Sequence, residues 1–190
     1  APLAAIAVVG FLTWNQSQNR ANARIDYEQP NPSYVNRPNQ DRTSQHLKAD
    51  RVLDGDTIKL ESGESVRLCG IDAPEKSQPL GPESKAKLQQ FIEQAGNDVI
   101  LVEVERDRYG RIVGEIFVRN KASQNPEEEF YVNGEMIRAG MAYHYRKYSS
   151  NCGGQMALES SEQFAQSKKL GVWNGNYQKP WDYRRQKREN

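Results

Sequence analysis

The chain has 190 residues, a length that points to one domain with appendages rather than two domains. Lys and Arg total 26 against 25 Asp and Glu, a net charge of +1, so no global basic field argues for a polyanionic partner. Two cysteines and two histidines at scattered positions exclude a zinc signature, while 36% hydrophobic residues still allow a globular core.

The chain opens "APLAAIAVVGFLTW", a run without charge. It is shorter than the roughly 20 residues of a membrane-spanning helix and nearer the apolar region of an export signal. Residues 1–23 are expected to be a signal-like segment or membrane anchor, which places the protein outside the cytoplasm; a short buried helix is the other reading. Residues 24–44 mix Pro, Asn and charge without periodicity and read as an extended linker. The organised domain is expected over residues 45–181, with a basic tail over 182–190.

Three strand-like runs follow, Leu47 to Leu53, Thr57 to Leu60 and Ser65 to Gly70, the last two joined by a turn at Ser62 and Gly63. "GPESKAKLQQFIEQAG" predicts a helix: Pro82 suits a first turn, Leu88, Phe91 and Ile92 share one face, and Gly96 stops it. "DVILVEVERDRYGRIVGEIFV" alternates as two strands around a turn at Asp107 to Gly110. "RNKASQNPEEEF" reads as a solvated acidic loop, "VNGEMIRAG" as a short helix and "MAYHYRKY" as a strand. "ALESSEQFAQSKKLGVW" is a last helix with Leu158, Phe164 and Ala165 inward. Five strands with helices between and after them predict an α+β domain, with a five-stranded OB-fold barrel and three helices as its architecture. Cys69 and Cys152 are an even pair in an exported chain; a disulfide and two separate thiols are equally open.

The chemistry sits around "VRLCGIDAPE", where an apolar strand ends in carboxylates, a costly placement unless something pairs with them. A hairpin turning at Ser62 and Gly63 sets Arg67 opposite Ile58, with Asp56 diagonally beside Arg67 on the same face. Plain alternation leaves Asp72 on the other face, about 10 Å along, so convergence needs a bend, which Gly55, Gly70 and Pro74 permit. Once gathered, Asp56, Asp72 and Glu75 demand a proton or a cation, because two bare charges 4 Å apart repel by about 4 kcal/mol at an effective dielectric near 20. Oxygen donors suit Ca²⁺ or Mg²⁺, and a loose set completed by carbonyls suits Ca²⁺ better. Arg67 and the Arg111 of "DRYGR" add two guanidinium forks suited to a phosphoryl group gaining charge. Glu75 is left to orient or deprotonate a water. Asp54 reads as turn chemistry, and His46 and His144 as structural.

The joint order "DGDT", "VRLCGIDAPE", "DRYGR", then "VNGEMIRAGMAY" and "KKLGVW", resembles the staphylococcal nuclease (thermonuclease) family over roughly Leu47 to Trp173, and "KPWDYRR" is similar to a tail of some bacterial members. The resemblance implies a Ca²⁺-dependent phosphodiesterase acting on DNA and RNA with 3′-phosphate products. It implies Asp56, Asp72 and the carbonyl of Ala73 as metal ligands, with Glu75 reaching the metal through water. It further implies Arg67 and Arg111 on the scissile phosphate, with Arg108, Tyr109 and Tyr148 on the substrate side. Two positions depart from the family pattern, Ala73 in place of threonine and Arg146 in place of a substrate-side tyrosine. The alternative is a non-catalytic nucleic-acid-binding module, but such a module gains nothing from clustered carboxylates facing a polyanion. A monomer is expected, with a membrane tether only through the N-terminal segment.

Overall fold

β1 spans Ser44–Asp54 and changes partner midway. Its first half pairs antiparallel with β5, Asp98–Arg106 (Ser44 to Lys48 against Val102 to Asp98), and its second half with β2, Thr57–Leu60 (Val52 against Ile58). Two irregularities, between Ala49 and Arg51 and between Val52 and Asp54, bend the strand as it does so. The computed structural model describes residues 43–121, 123–125 and 128–189, so the expected N-terminal segment and nearly all of the expected linker lie outside it. Ser44, placed at the end of that linker, already belongs to β1.

β3, Ser65–Leu68, pairs antiparallel with β2 on one side and in parallel with β6, Ile112–Arg119, on the other. The main sheet therefore runs β3-β2-β1-β5-β6-β7, with β7 being Glu129–Tyr131, and the β3–β6 pairing joins the two ends of its first five strands. A separate ribbon pairs β4, Ile71–Asp72, with β8, Tyr143–His144. The expectation of five strands is corrected to six in the main sheet. The expected long strand in "MAYHYRKY" is corrected to the two residues of β8 followed by a 3₁₀ turn, Arg146–Tyr148.

Four helices are described instead of three. α1 is Gly81–Gln94, α2 Val132–Arg138, α3 Gln155–Ser167 and α4 Pro180–Glu189. α1 packs on β1 and α2, and α2 lies between β6 and α3. Ile58, Val66, Leu88, Leu101, Ile116, Met136, Ile137 and Leu158 are among the buried side chains of one apolar core. Each buried aliphatic side chain contributes about 1.5–3 kcal/mol. Phe164, expected inward, is only partly buried and carries the Arg138 guanidinium over its ring at 3.7 Å. Among the described residues no helix is long and apolar enough to cross a membrane.

Two buried polar residues hold the sheet to the helices. Asn133, fully buried in α2, accepts the N–H of Ile116 and donates to the carbonyls of Cys69 and Gly114. Glu115 accepts the Tyr131 hydroxyl at 2.9 Å and the Gly154 N–H at 2.8 Å, anchoring the start of α3 to β6. Cys69 and Cys152 form a disulfide, which settles the pairing that the sequence left open. It links the segment between β3 and β4 to the loop ahead of α3.

Candidate active site

The hairpin loop is one residue longer than expected, running from Glu61 to Gly63. Gly63 N–H donates to the Leu60 carbonyl, and the register places Thr57, not Ile58, opposite Arg67. Simple alternation would then send Asp56 to the far side. It does not, because Asp56 belongs to the turn before β2, where its N–H donates to Asp54 Oδ1 at 3.2 Å. Asp54 thus does the turn work expected of it. A Cβ on Gly55 would meet Ser84 Oγ at 2.0 Å, so the turn can lie against α1 only with glycine there.

Asp56, Asp72 and Glu75 are brought together. Arg67 spans the first two: its Nη1 lies 2.6 Å from Asp56 Oδ2 and its Nη2 2.9 Å from Asp72 Oδ1. Asp56 Oδ2 also accepts the N–H of Ala73 at 2.8 Å, which ties the "DGDT" turn directly to the "DAPE" loop. Burial pushes the Asp56 carboxyl up to about 7, and the Arg67 charge only partly offsets that. Glu75 sits at the rim; its N–H donates to Gln78 Oε1, and Gln78 returns its own N–H to the Glu75 carbonyl. A Cβ on Gly81 would strike that same carbonyl at 2.0 Å, so the loop closes onto α1 through a glycine.

A second guanidinium, from the stretch expected to be a basic tail, completes the cluster. Arg184 of α4 donates to Asp72 Oδ1 at 3.0 Å and Oδ2 at 2.7 Å, and to Glu75 Oε1 at 2.7 Å. Burial works against its charge, yet the Asp72 and Glu75 hydrogen bonds hold it above its ordinary value. α4 is docked by Tyr183 to Ser77 at 2.7 Å, by Gln78 to the Gln178 carbonyl, and by Trp181 stacked on Tyr145 at 5.2 Å. The missed signal was electrostatic: three clustered acids with one nearby arginine are short of positive charge, and "KPWDYRR" pairs a helix-starting proline with arginines.

Arg111 lies just ahead of β6. Val113 is the register partner of Arg67, and alternation carries Arg111 to the same outward face as Val113. Asp107 accepts Arg111 Nε at 2.7 Å and the N–H groups of Tyr109 and Arg111, which fixes the "DRYGR" turn. Partial burial opposes the Asp107 charge, but the Arg111 hydrogen bonds hold its carboxyl below the ordinary range. Arg108 and Arg111 stand 4.9 and 5.7 Å over the exposed Tyr109 ring. Tyr148 is exposed at the end of the 3₁₀ turn, beside Tyr145.

The donor set of two aspartates, a glutamate and the Ala73 carbonyl is all oxygen and fits a hard divalent cation. In this arrangement the guanidinium groups lie between the carboxylates. Among the described residues no group of three or more His, Cys, Asp or Glu stands ready to hold a metal. With Asp56 ionised, three carboxylates against two guanidiniums leave the cluster one negative charge.

This convergence of acids and arginines on a curled, strand-rich α+β domain is the arrangement of a phosphodiester-processing protein. The staphylococcal nuclease homologue family model matches residues 65–175, and the chain belongs to that family. It is 34% identical over 139 residues to the micrococcal nuclease of Shigella flexneri, covering 71% of this chain and 78% of that one. It is 34% identical over 140 residues to protein ParB of Escherichia coli, covering 72% and 77%. The staphylococcal-like nuclease CAN1 of Arabidopsis thaliana is 34% identical over 124 residues, 65% of this chain but only 34% of that longer protein.

Proposed function

We propose that the chain is a calcium-dependent nuclease that hydrolyses phosphodiester bonds of DNA and RNA. Water attacks phosphorus in line, the 5′ oxygen leaves with a proton, and the products carry a 3′-phosphate. The observation that carries this reading is the meeting of Asp56 and Asp72 on Arg67, with Glu75 joined to Asp72 through Arg184 and Arg111 just ahead of the neighbouring strand.

Asp56, Asp72 and the Ala73 carbonyl would hold the cation, with Glu75 beside it. The ion would supply the positive charge that lets three carboxylates coexist next to a phosphate. Glu75, the most exposed of the three acids, takes the proton from the attacking water. Arg67 donates to the non-bridging phosphate oxygens. Arg111, steadied through Nε by Asp107, offers its terminal nitrogens from the adjoining strand. Arg184, which donates to both Asp72 and Glu75, would compete with a cation for those two acids.

The β3–β6 pairing supports an OB-type architecture, and the disulfide supports a compartment outside the cytoplasm. The test is digestion of plasmid DNA and of RNA with Ca²⁺, with Mg²⁺ and with chelator. Cleavage with Ca²⁺ that stops in chelator supports the reading; cleavage that survives chelation ends it.

A further inference from the structure

Beside the acid cluster lies a groove of about 680 Å³ whose walls include neither Asp72 nor Glu75. Five cationic side chains line it, Arg146, Lys147, Lys179, Arg185 and Arg188, of which Arg185 is paired with Asp182 at 2.8 Å and Arg146 reaches Glu159 at 3.8 Å. The acid in its wall, Glu162, is buried and taken up by Arg146 at 2.6 Å and by the His144 N–H at 3.0 Å. Apart from Gln166, the remaining lining is aromatic: His144, Tyr145, Trp173 and Trp181. Trp181 stacks on Tyr145 with 3° between the rings, and Lys179 lies 4.1 Å over Trp173. The wall is not saturated with hydrogen bonds: His144 Nδ1 and Trp173 Nε1 are buried without a partner among the described residues.

The groove is joined to the acid cluster in two ways. His144 is the register partner of Ile71 and Tyr143 that of Asp72, so this wall runs about 5 Å from the "DAPE" loop. On α4, Arg184 turns to the carboxylates while Arg185 and Arg188, one helical turn apart, line the groove. A strand with one phosphate at the acids can therefore continue into cations and aromatic faces.

We infer that this groove is a second nucleic-acid subsite, taking the single strand on one side of the scissile phosphate. Cations there meet phosphates, and Tyr145 and Trp181 offer ring surface for bases. Its volume suits about one or two nucleotides, given that pockets of roughly 300–1,000 Å³ take a drug-sized molecule. The inference rests on the nuclease reading and deepens it: the enzyme prefers strands long enough to occupy both places.

Two surface residues outside the reacting set make the test, Lys147→Glu with Arg188→Glu in the full chain. Binding of fluorescent oligothymidylates of about 4 and about 16 nucleotides is measured in chelator across a salt series. The double variant should bind the longer strand at least about tenfold more weakly, and its log K against log salt slope should flatten by about 1.4, two lost phosphate contacts. Calcium-supported hydrolysis of a dinucleotide-sized substrate should stay unchanged. Unaltered binding of the longer strand overturns the inference. So does equal weakening for both lengths, or a loss confined to anionic phosphatidylserine vesicles. A wild-type chain that cleaves nothing with Ca²⁺ sinks the nuclease reading instead, and the binding series still judges the groove.

Discussion

Arg184 grips both carboxylate oxygens of Asp72 from 112 positions away in sequence, and Asp72 is fully buried. The Arg184 charge held on those oxygens opposes a cation that takes Asp72 as a ligand. Charge-assisted bonds of this kind contribute roughly 1.5–3 kcal/mol. Arg184→Gln should therefore bind Ca²⁺ at least about tenfold more tightly by calorimetry. The metal-free variant should melt lower than wild type by about 4 °C or more. Equal or weaker Ca²⁺ affinity in the variant would show that Arg184 does not compete for the site.

Arg111→Ala should lower turnover on the order of 10²-fold, the scale of losing one donor to a transition-state charge. Its melting temperature should change little, because its partner Asp107 is near the surface and keeps two backbone N–H donors. Arg67→Ala should lose activity and also stability, since it leaves Asp56 and Asp72 without their shared guanidinium. Steady-state kinetics beside thermal melts separate the two; full activity in Arg111→Ala removes it from the phosphate.

The acid range offers a third check. Asp56 titrates at about 7 in the folded chain, against 3.8 for an ordinary aspartate, because burial disfavours its charge. The folded metal-free protein thus keeps a proton that the unfolded chain has lost. That contribution to stability is present below about pH 4 and disappears as pH rises through about 7. Asp56→Asn should flatten the melting temperature over that window. A divalent cation must expel the same proton, so apparent affinity should climb about tenfold per pH unit below 7 and then level. A flat profile from about pH 5 to about 7 would contradict the assignment.

Reduction gives a fourth. The Cys69–Cys152 bond closes a loop of 83 positions, worth about 4–5 kcal/mol in the chain-entropy treatment. Paired Cys→Ala substitution should cost stability on that order. Because Cys69 lies between Arg67 and Asp72, Ca²⁺ affinity measured well below the melting point should fall as well. Loss of stability without any change in affinity would confine the bond to a structural role.

Much of this was legible in the residues. Periodicity located β2, β3, α1, β5 and β6, and the joint spacing of "DGDT", "VRLCGIDAPE" and "DRYGR" named the residues that meet. The register was harder. A turn set by the Leu60–Gly63 hydrogen bond shifts pairing by one residue, and Asp56 escapes alternation because it sits in a turn, not a strand. "MAYHYRKY" has strand composition but finds a ladder partner only for two residues, so tertiary pairing decided against propensity. Arg184 was hidden for another reason. Its role depends on where α4 docks, through Tyr183, Gln178 and Trp181, and no local pattern encodes that distance.

The family match ends at residue 175, nine positions short of Arg184. During synthesis, the acids at 56, 72 and 75 leave the ribosome long before the arginine that faces them, and an early domain carries three carboxylates for one guanidinium. A polypeptide ending at residue 175 would keep that imbalance permanently. It would differ from the natural protein at its own centre, although every residue removed lies at the far end of the chain.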